Sequence, residues 1–97
     1  PKYLDAWIGL GFAYEKLGNL NDSEICCRKA IEIRGDLNNI YDLCCVLRAQ
    51  GKYKEAAKYL LQAKDLSKSE SQKAQLLKEI EECRQQTQSG ARRRESW

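Results

Sequence analysis

Apolar residues recur every three to four positions along most of the chain, which is the spacing of amphipathic helices. The apolar pattern and its breaks predict helices over about residues 4–17, 21–34, 37–50, 54–66 and 70–87. Gly18 and Gly51 follow the first and third helices, where a left-handed residue commonly ends a helix. The sequence therefore predicts an all-α fold.

Polar residues before the helices are candidates for capping them. Asn21, with Glu24 three residues later, predicts a capping box at the start of the second helix. Ser67 or Ser69 is expected to cap the last helix, in which Leu76, Leu77, Ile80 and Cys83 form an apolar stripe.

The first four helices form two similar units. A shift of 33 residues aligns Leu10 with Leu43, Gly18 with Gly51, and Ala30 with Ala63. Each unit contains a helix, a glycine, a short polar link and a second helix. Self-similarity at this period is typical of helical repeat proteins.

Specific residues in these units carry a family resemblance. Trp7, Leu10, Gly11 and Tyr14, followed by Gly18 and Ala30, resemble the tetratricopeptide repeat, as does the stretch GKYKEA at 51–56. Ser23, Ile40 and Gly35 depart from the family pattern. The resemblance implies antiparallel helical hairpins stacked as a right-handed superhelix. The units span 1–36 and 37–68, a capping helix follows at 69–88, and 89–97 is a flexible basic tail.

Composition narrows the function classes. The chain has 97 residues, one proline and a net charge of +3, which indicates neither a nucleic-acid nor a membrane partner. Histidine is absent, and with it the commonest general base and zinc ligand. The carboxylates, Glu79 included, are scattered on predicted polar faces, and the lysines around 52–68 form a solvated face. We predict no catalytic residues and no enzyme activity.

The five cysteines occur as Cys26–Cys27, Cys44–Cys45 and Cys83. No CxxC spacing supports a metal site, so we predict structural thiols and no metal or cofactor. A redox or metal role is the alternative. An odd number of cysteines without secretory features favours a cytoplasmic or nuclear location.

The resemblance also implies a concave groove lined by the first helix of each unit, which binds another protein or a peptide. The groove residues implied by this register are Asp5, Ile8, Phe12, Glu15, Asn38, Tyr41, Asp42, Cys45 and Arg48. Phe12 and Tyr41 are expected to flank one groove, unless a neighbouring unit covers it. Asp5 and Asp42 argue against the carboxylate clamp that holds the C-terminal tails of Hsp70 and Hsp90.

The two ends of the chain suggest further roles. The absence of Met and the start at Pro1 indicate a piece of a longer protein. Tyr3, Leu4 and Trp7 are expected to form an apolar face for upstream repeats or another copy, which makes self-association the alternative function. Ser96, after Arg92–Arg94, is a candidate phosphosite.

Overall fold

Five α-helices make up the part of the chain that the structure describes. This computed structural model describes the backbone of residues 2–95 and the side chains of residues 3–87. The helices are α1 (Lys2–Lys16), α2 (Leu20–Ile33), α3 (Leu37–Ala49), α4 (Tyr53–Leu66) and α5 (Glu70–Glu95). They pack in chain order as two hairpins, α1–α2 and α3–α4, with α5 against α4. The predicted all-α fold of stacked hairpins and a C-terminal helix is confirmed. No helix in the described residues is both long enough and apolar enough to cross a membrane.

The two hairpins turn in the same way. Gly18 and Gly51 both have φ of +81°, as predicted for residues that end a helix. The amide of Asn19 donates to the carbonyl of Tyr14 at 2.9 Å, and the amide of Lys52 donates to that of Leu47 at 2.8 Å. These bonds, five residues back along the chain, satisfy the last carbonyls of α1 and α3 before the chain reverses.

The hydrophobic core lies mainly between α3, α4 and α5. Leu43 and Leu47 from α3 are fully buried with Leu60 from α4, and Leu76 and Ile80 of α5 close the cluster. The predicted stripe of α5 is only partly right, because Leu76, Ile80 and Cys83 are buried but Leu77 is exposed. No second helix covers that side of α5 within the described residues.

Gly11 allows α1 and α2 to approach closely. The hydroxyl of Ser23 donates to the carbonyl of Gly11 at 2.8 Å. A Cβ atom added to Gly11 would lie 3.5 Å from the Cβ atom of Cys26 and 3.6 Å from the sulfur of Cys27. These are ordinary contact distances, so the space admits a methyl group and little more.

The predicted capping box at Asn21 is wrong. The residue before α2 is Asn19, and its side chain makes no capping hydrogen bond. Asn21 instead accepts a hydrogen bond from the side-chain amide of Gln50 at 3.0 Å. Glu24 binds Arg28 at 2.9 Å and Lys52 at 3.0 Å. A carboxylate near two cations gains more from them than from a single backbone amide.

The start of α5 repeats the start of α3. The carboxylate of Asp36 accepts a hydrogen bond from the amide of Asn39 at 3.0 Å, and the hydroxyl of Ser69, 33 residues later, accepts one from the amide of Gln72 at 3.3 Å. The predicted cap at Ser69 is therefore confirmed, and α5 begins like the first helix of another unit.

Helix α5 continues past the end that the sequence predicted at residue 88. Its backbone is helical to Glu95, through Gly90. A glycine inside a helix costs only about 1 kcal/mol relative to alanine, and the good helix formers Ala and Arg follow it at 91–94. Ser96 and Trp97 lie outside the described residues, as do the side chains of Arg92–Arg94.

Candidate functional site

A pocket of about 110 Å³ opens between α1 and α3, and we call it the α1–α3 pocket. Its walls are formed by Ile8, Phe12 and Glu15 of α1 and by Asp42 and Cys45 of α3. The three α1 residues are four and three positions apart, so they share one face of the helix. Gly11, Cys27, Ala30 and Asn39 complete the lining. Five of the nine groove residues named from the sequence thus meet at one place.

The apolar wall of the pocket is open to solvent. Phe12, the only phenylalanine in the chain, is 55% exposed, and Ile8 beside it is half-buried. A large exposed aromatic next to a concavity marks a surface that can gain free energy by being covered.

Two carboxylates give this pocket a negative potential. Burial raises the pKa of Asp42, and the negative charges of Glu15 and Asp36 raise it further. Among the side chains that the structure describes, neither Asp42 nor Glu15 forms an ion pair. The described side chains therefore leave the negative charge at the pocket uncompensated.

The thiols in the pocket are poor nucleophiles. Burial raises the pKa of Cys27 to about 11, and the nearby carboxylates add to the effect. The pKa of Cys45 is also raised, by partial burial of the thiol and then by nearby negative charges, although the residue as a whole is exposed. A thiol with a raised pKa is protonated near neutral pH, so neither cysteine supplies the thiolate that nucleophilic catalysis requires. All five cysteines are free, and in the described part of the chain His, Cys, Asp and Glu form no cluster that could hold a metal ion.

A buried ion pair joins α3 to α5. The carboxylate of Glu79 accepts hydrogen bonds from the hydroxyl of Tyr41 at 2.6 Å and from the guanidinium of Arg48 at 2.9 Å. The bond to Glu79 raises the pKa of Tyr41, because it favours the protonated phenol, and burial adds to this effect. Arg48 also lies 3.6 Å from Glu82. The positive charge of Arg48 is thus neutralised within the chain.

The prediction that Glu79 lies on the solvated outside of its helix is wrong, because the residue is only 6% exposed. Its spacing contained the signal: residues 76, 79, 80 and 83 lie on one face of a helix. The equivalent residue of α3, 33 positions earlier, is the buried Val46. One oxygen of Glu79 is buried without a hydrogen-bond partner among the described atoms.

The remaining predicted groove residues are separated from the α1–α3 pocket. Asn38 and Tyr41 line a second pocket on the other side of α3, together with Gln75 and Glu79 of α5. Asp5 is exposed in the first turn of α1. Phe12 and Tyr41 therefore line two different pockets, where the sequence predicted one shared groove. The reason is that the Tyr41 hydroxyl turns toward α5 to bind Glu79.

Comparison with protein families identifies the two units. The tetratricopeptide repeat description matches residues 4–37, and a second description of the same repeat matches residues 40–70. The chain belongs to the tetratricopeptide repeat family. No curated protein matches it.

Tetratricopeptide repeats are generally modules of protein–protein interaction and are typically non-catalytic. The two matched segments cover the two helical hairpins and end where α5 begins. Helix α5 nevertheless starts at the repeat position and packs on α4 as a further first helix would. In this tetratricopeptide array, the first helices α1 and α3 contribute the open walls of the α1–α3 pocket, and α3 and α5 contribute those of the second pocket.

Proposed function

We propose that this tetratricopeptide repeat chain binds a segment of another polypeptide across α1, α3 and α5, with the α1–α3 pocket as its anchor point. The observation that carries the proposal is Phe12, a large aromatic that lies 55% exposed on the wall of an open pocket. Binding energy in protein interfaces concentrates in a few aromatic residues that lose contact with water.

The size of the pocket supports a polypeptide ligand. Sites for cofactors and drug-sized ligands enclose roughly 300–1,000 Å³. The α1–α3 pocket encloses about 110 Å³, which suits the end of one side chain. A chain that inserts one residue here and continues across α3 toward the pocket of Asn38 and Tyr41 would use both concavities.

Selection of peptides from a random display library, with the folded chain as the target, tests this proposal. We expect the selected peptides to shift the NMR resonances of α1 and α3 around Phe12. Phe12→Ala should weaken their binding by at least tenfold, because truncation of an aromatic anchor costs on the order of 2 kcal/mol.

Ile25 provides a matched control. It is 54% exposed, on α2, and it does not line the pocket. Ile25→Ala should leave the affinity of the same peptides within about twofold, which is under 1 kcal/mol. Equal sensitivity of the two sites, or peptides that bind only the lysines Lys54 and Lys58 on α4, would overturn the proposal.

A second candidate function, self-association, is supported by the free face of α1. Leu10 is 46% exposed, whereas its repeat equivalent Leu43 is fully buried. Tyr3 and Leu17 are exposed seven positions to either side of Leu10, so the three side chains share one face. Leu4, which the sequence placed on this face, is buried.

Sedimentation velocity over a range of concentrations tests self-association. If this face pairs two copies, the apparent mass should rise with concentration, and Leu10→Ser should abolish the rise. A monomer at all concentrations would reject this candidate and leave the peptide-binding proposal intact.

We also propose a cytoplasmic or nuclear location. The five free cysteines support it, since unpaired thiols persist in reducing compartments. Cell fractionation of the tagged protein would test it, and recovery with secreted proteins would contradict it.

A further inference from the structure

Outside the α1–α3 pocket, two carboxylates that are buried or partly buried, Glu24 and Glu79, are paired with cations. Glu24 binds Arg28 and Lys52, at 2.9 and 3.0 Å. Burial opposes its ionisation, but these hydrogen bonds outweigh burial and lower its pKa. Glu79 is paired in the same way with Arg48.

Asp42 contrasts with these two residues. It is half-buried, and Glu15 is the neighbouring charge that does most to raise its pKa. Within residues 3–87, whose side chains the structure describes, no lysine or arginine lies within ion-pair distance of either carboxylate. Arg48, six residues after Asp42 on α3, is a cation, but Glu79 and Glu82 engage it. The negative charges of Asp42 and Glu15 therefore have no cationic partner among the described side chains.

The apolar and acidic groups of the pocket are arranged for an amphipathic side chain. Phe12 and Ile8 offer an apolar surface, and Glu15 and Asp42 form part of the same lining. Lysine and arginine have this combination, with an aliphatic stem that packs on apolar surface and a charged head. An arginine could also stack its guanidinium on the ring of Phe12. An acidic side chain or a terminal carboxylate placed in the pocket would be repelled by Glu15 and Asp42.

We propose that the α1–α3 pocket selects a basic residue, a lysine or arginine of the bound polypeptide, whose stem packs on Phe12 and whose charged head pairs with Asp42 and Glu15. This inference rests on the proposed peptide-binding function and specifies its partner: a segment with a basic side chain at the anchor position.

The energetics of the free protein support this assignment. Ionised Asp42 is disfavoured by burial and by its acidic neighbours, so the empty pocket carries an electrostatic cost. A bound cation removes that cost and forms charge-assisted hydrogen bonds at the same time. Functional sites commonly retain such unfavourable charge because the ligand compensates it.

The test uses the peptides selected above, synthesised with acetylated N termini and amidated C termini. We expect the Phe12-dependent peptides to share a lysine or arginine. Replacement of that residue by norleucine, which keeps the stem and removes the charge, should weaken binding by at least tenfold. The double variant Asp42→Asn with Glu15→Gln should weaken binding of the basic peptide by the same factor as the norleucine replacement does. It should leave binding of the norleucine peptide unchanged.

A matched control separates local pairing from overall charge. Glu32→Gln with Asp65→Asn removes two negative charges from exposed positions of α2 and α4, outside the pocket lining. This control should change the affinity by less than about twofold at physiological salt, because exposed charges farther away are screened. Circular dichroism spectra and melting curves establish that both double variants are folded.

Three results would overturn the inference. Equal losses in the pocket and control variants would mean that only overall charge matters. Phe12-dependent peptides that lack a basic residue would leave the groove as the binding site and remove its selectivity. Peptides that bind without any dependence on Phe12 would reject the proposed function itself, and the basic anchor with it.

Discussion

Arg48→Met is expected to destabilise the fold strongly, because it leaves the carboxylate of Glu79 buried without a cation. In the native protein the guanidinium lies 2.9 Å from this carboxylate, which is almost inaccessible to water. Methionine preserves most of the aliphatic stem, so the change mainly removes the charge. The hydroxyl of Tyr41 would remain as the single described hydrogen-bond donor to Glu79.

The magnitude follows from the burial of the two partners. Removal of one partner of a buried ion pair costs roughly 3–5 kcal/mol. The side chain of Arg48 is 31% exposed, so we expect the lower end, about 3 kcal/mol. For a domain of this size, 1 kcal/mol corresponds to about 4–8 °C in Tm, so the Tm should fall by roughly 12 °C or more.

Urea unfolding at neutral pH, followed by circular dichroism, measures this effect. Glu79→Leu combined with Arg48→Met should recover most of the lost stability, because an apolar pair can replace a buried ion pair at little cost. The equivalent position of α3, 33 residues earlier, is already occupied by a buried apolar residue, Val46. The reasoning is refuted if Arg48→Met stays within about 0.5 kcal/mol of the wild type, which is the range of ordinary surface substitutions, or if the double variant is less stable than the single one.

Two further predictions concern α1 and α3. Gly11→Leu should destabilise the fold by about 1–3 kcal/mol or more, because an added Cβ atom already meets Cys26 and Cys27 at 3.5–3.6 Å. Gly11→Ala should be tolerated. Urea unfolding compares the two variants, and equal stabilities would contradict the close approach of α1 and α2. Asp42→Asn should raise the Tm at pH 7 and have no such effect at pH 3. The reason is that the pKa of Asp42 is higher in the folded state than in the unfolded state, so stability falls as the pH rises from the unfolded-state pKa through the folded-state pKa and stays lower above it. A lower Tm of the variant at pH 7 would show that Asp42 has a stabilising partner.

The sequence alone predicted the features that depend on local spacing. Five helices follow from apolar residues every three to four positions, and the turns follow from Gly18 and Gly51 because few other residues adopt a positive φ. Ser69 was one of two candidate caps, with Ser67, from its place before the last helix, and the structure selects it. Such local signals act within a few residues, so they can be recognised without knowledge of the rest of the fold.

The sequence did not predict which polar residues find partners across helices. Glu24 resembled half of a capping box, but Lys52 lies within 3.0 Å of it only when α3 and its following turn pack beside α2. Glu79 resembled a surface residue, and only the docking of α5 brings it to Tyr41 and Arg48. Contacts over 28 to 38 positions depend on how the helices pack, which no local pattern specifies.

For this protein, the amino-acid pattern alone predicted the helices and their 33-residue repeat, and the family resemblance implied which residues of α1 and α3 would face a groove. The tertiary structure decided how those residues are grouped. It brought Phe12, Glu15 and Asp42 to one pocket and placed Tyr41 at another, because the Tyr41 hydroxyl binds a carboxylate of α5. It also decided which charges remain available to a partner. A helical repeat sets which face a residue occupies, but only the packing of one helix on the next determines whether a charge on that face is neutralised within the chain or left for a partner.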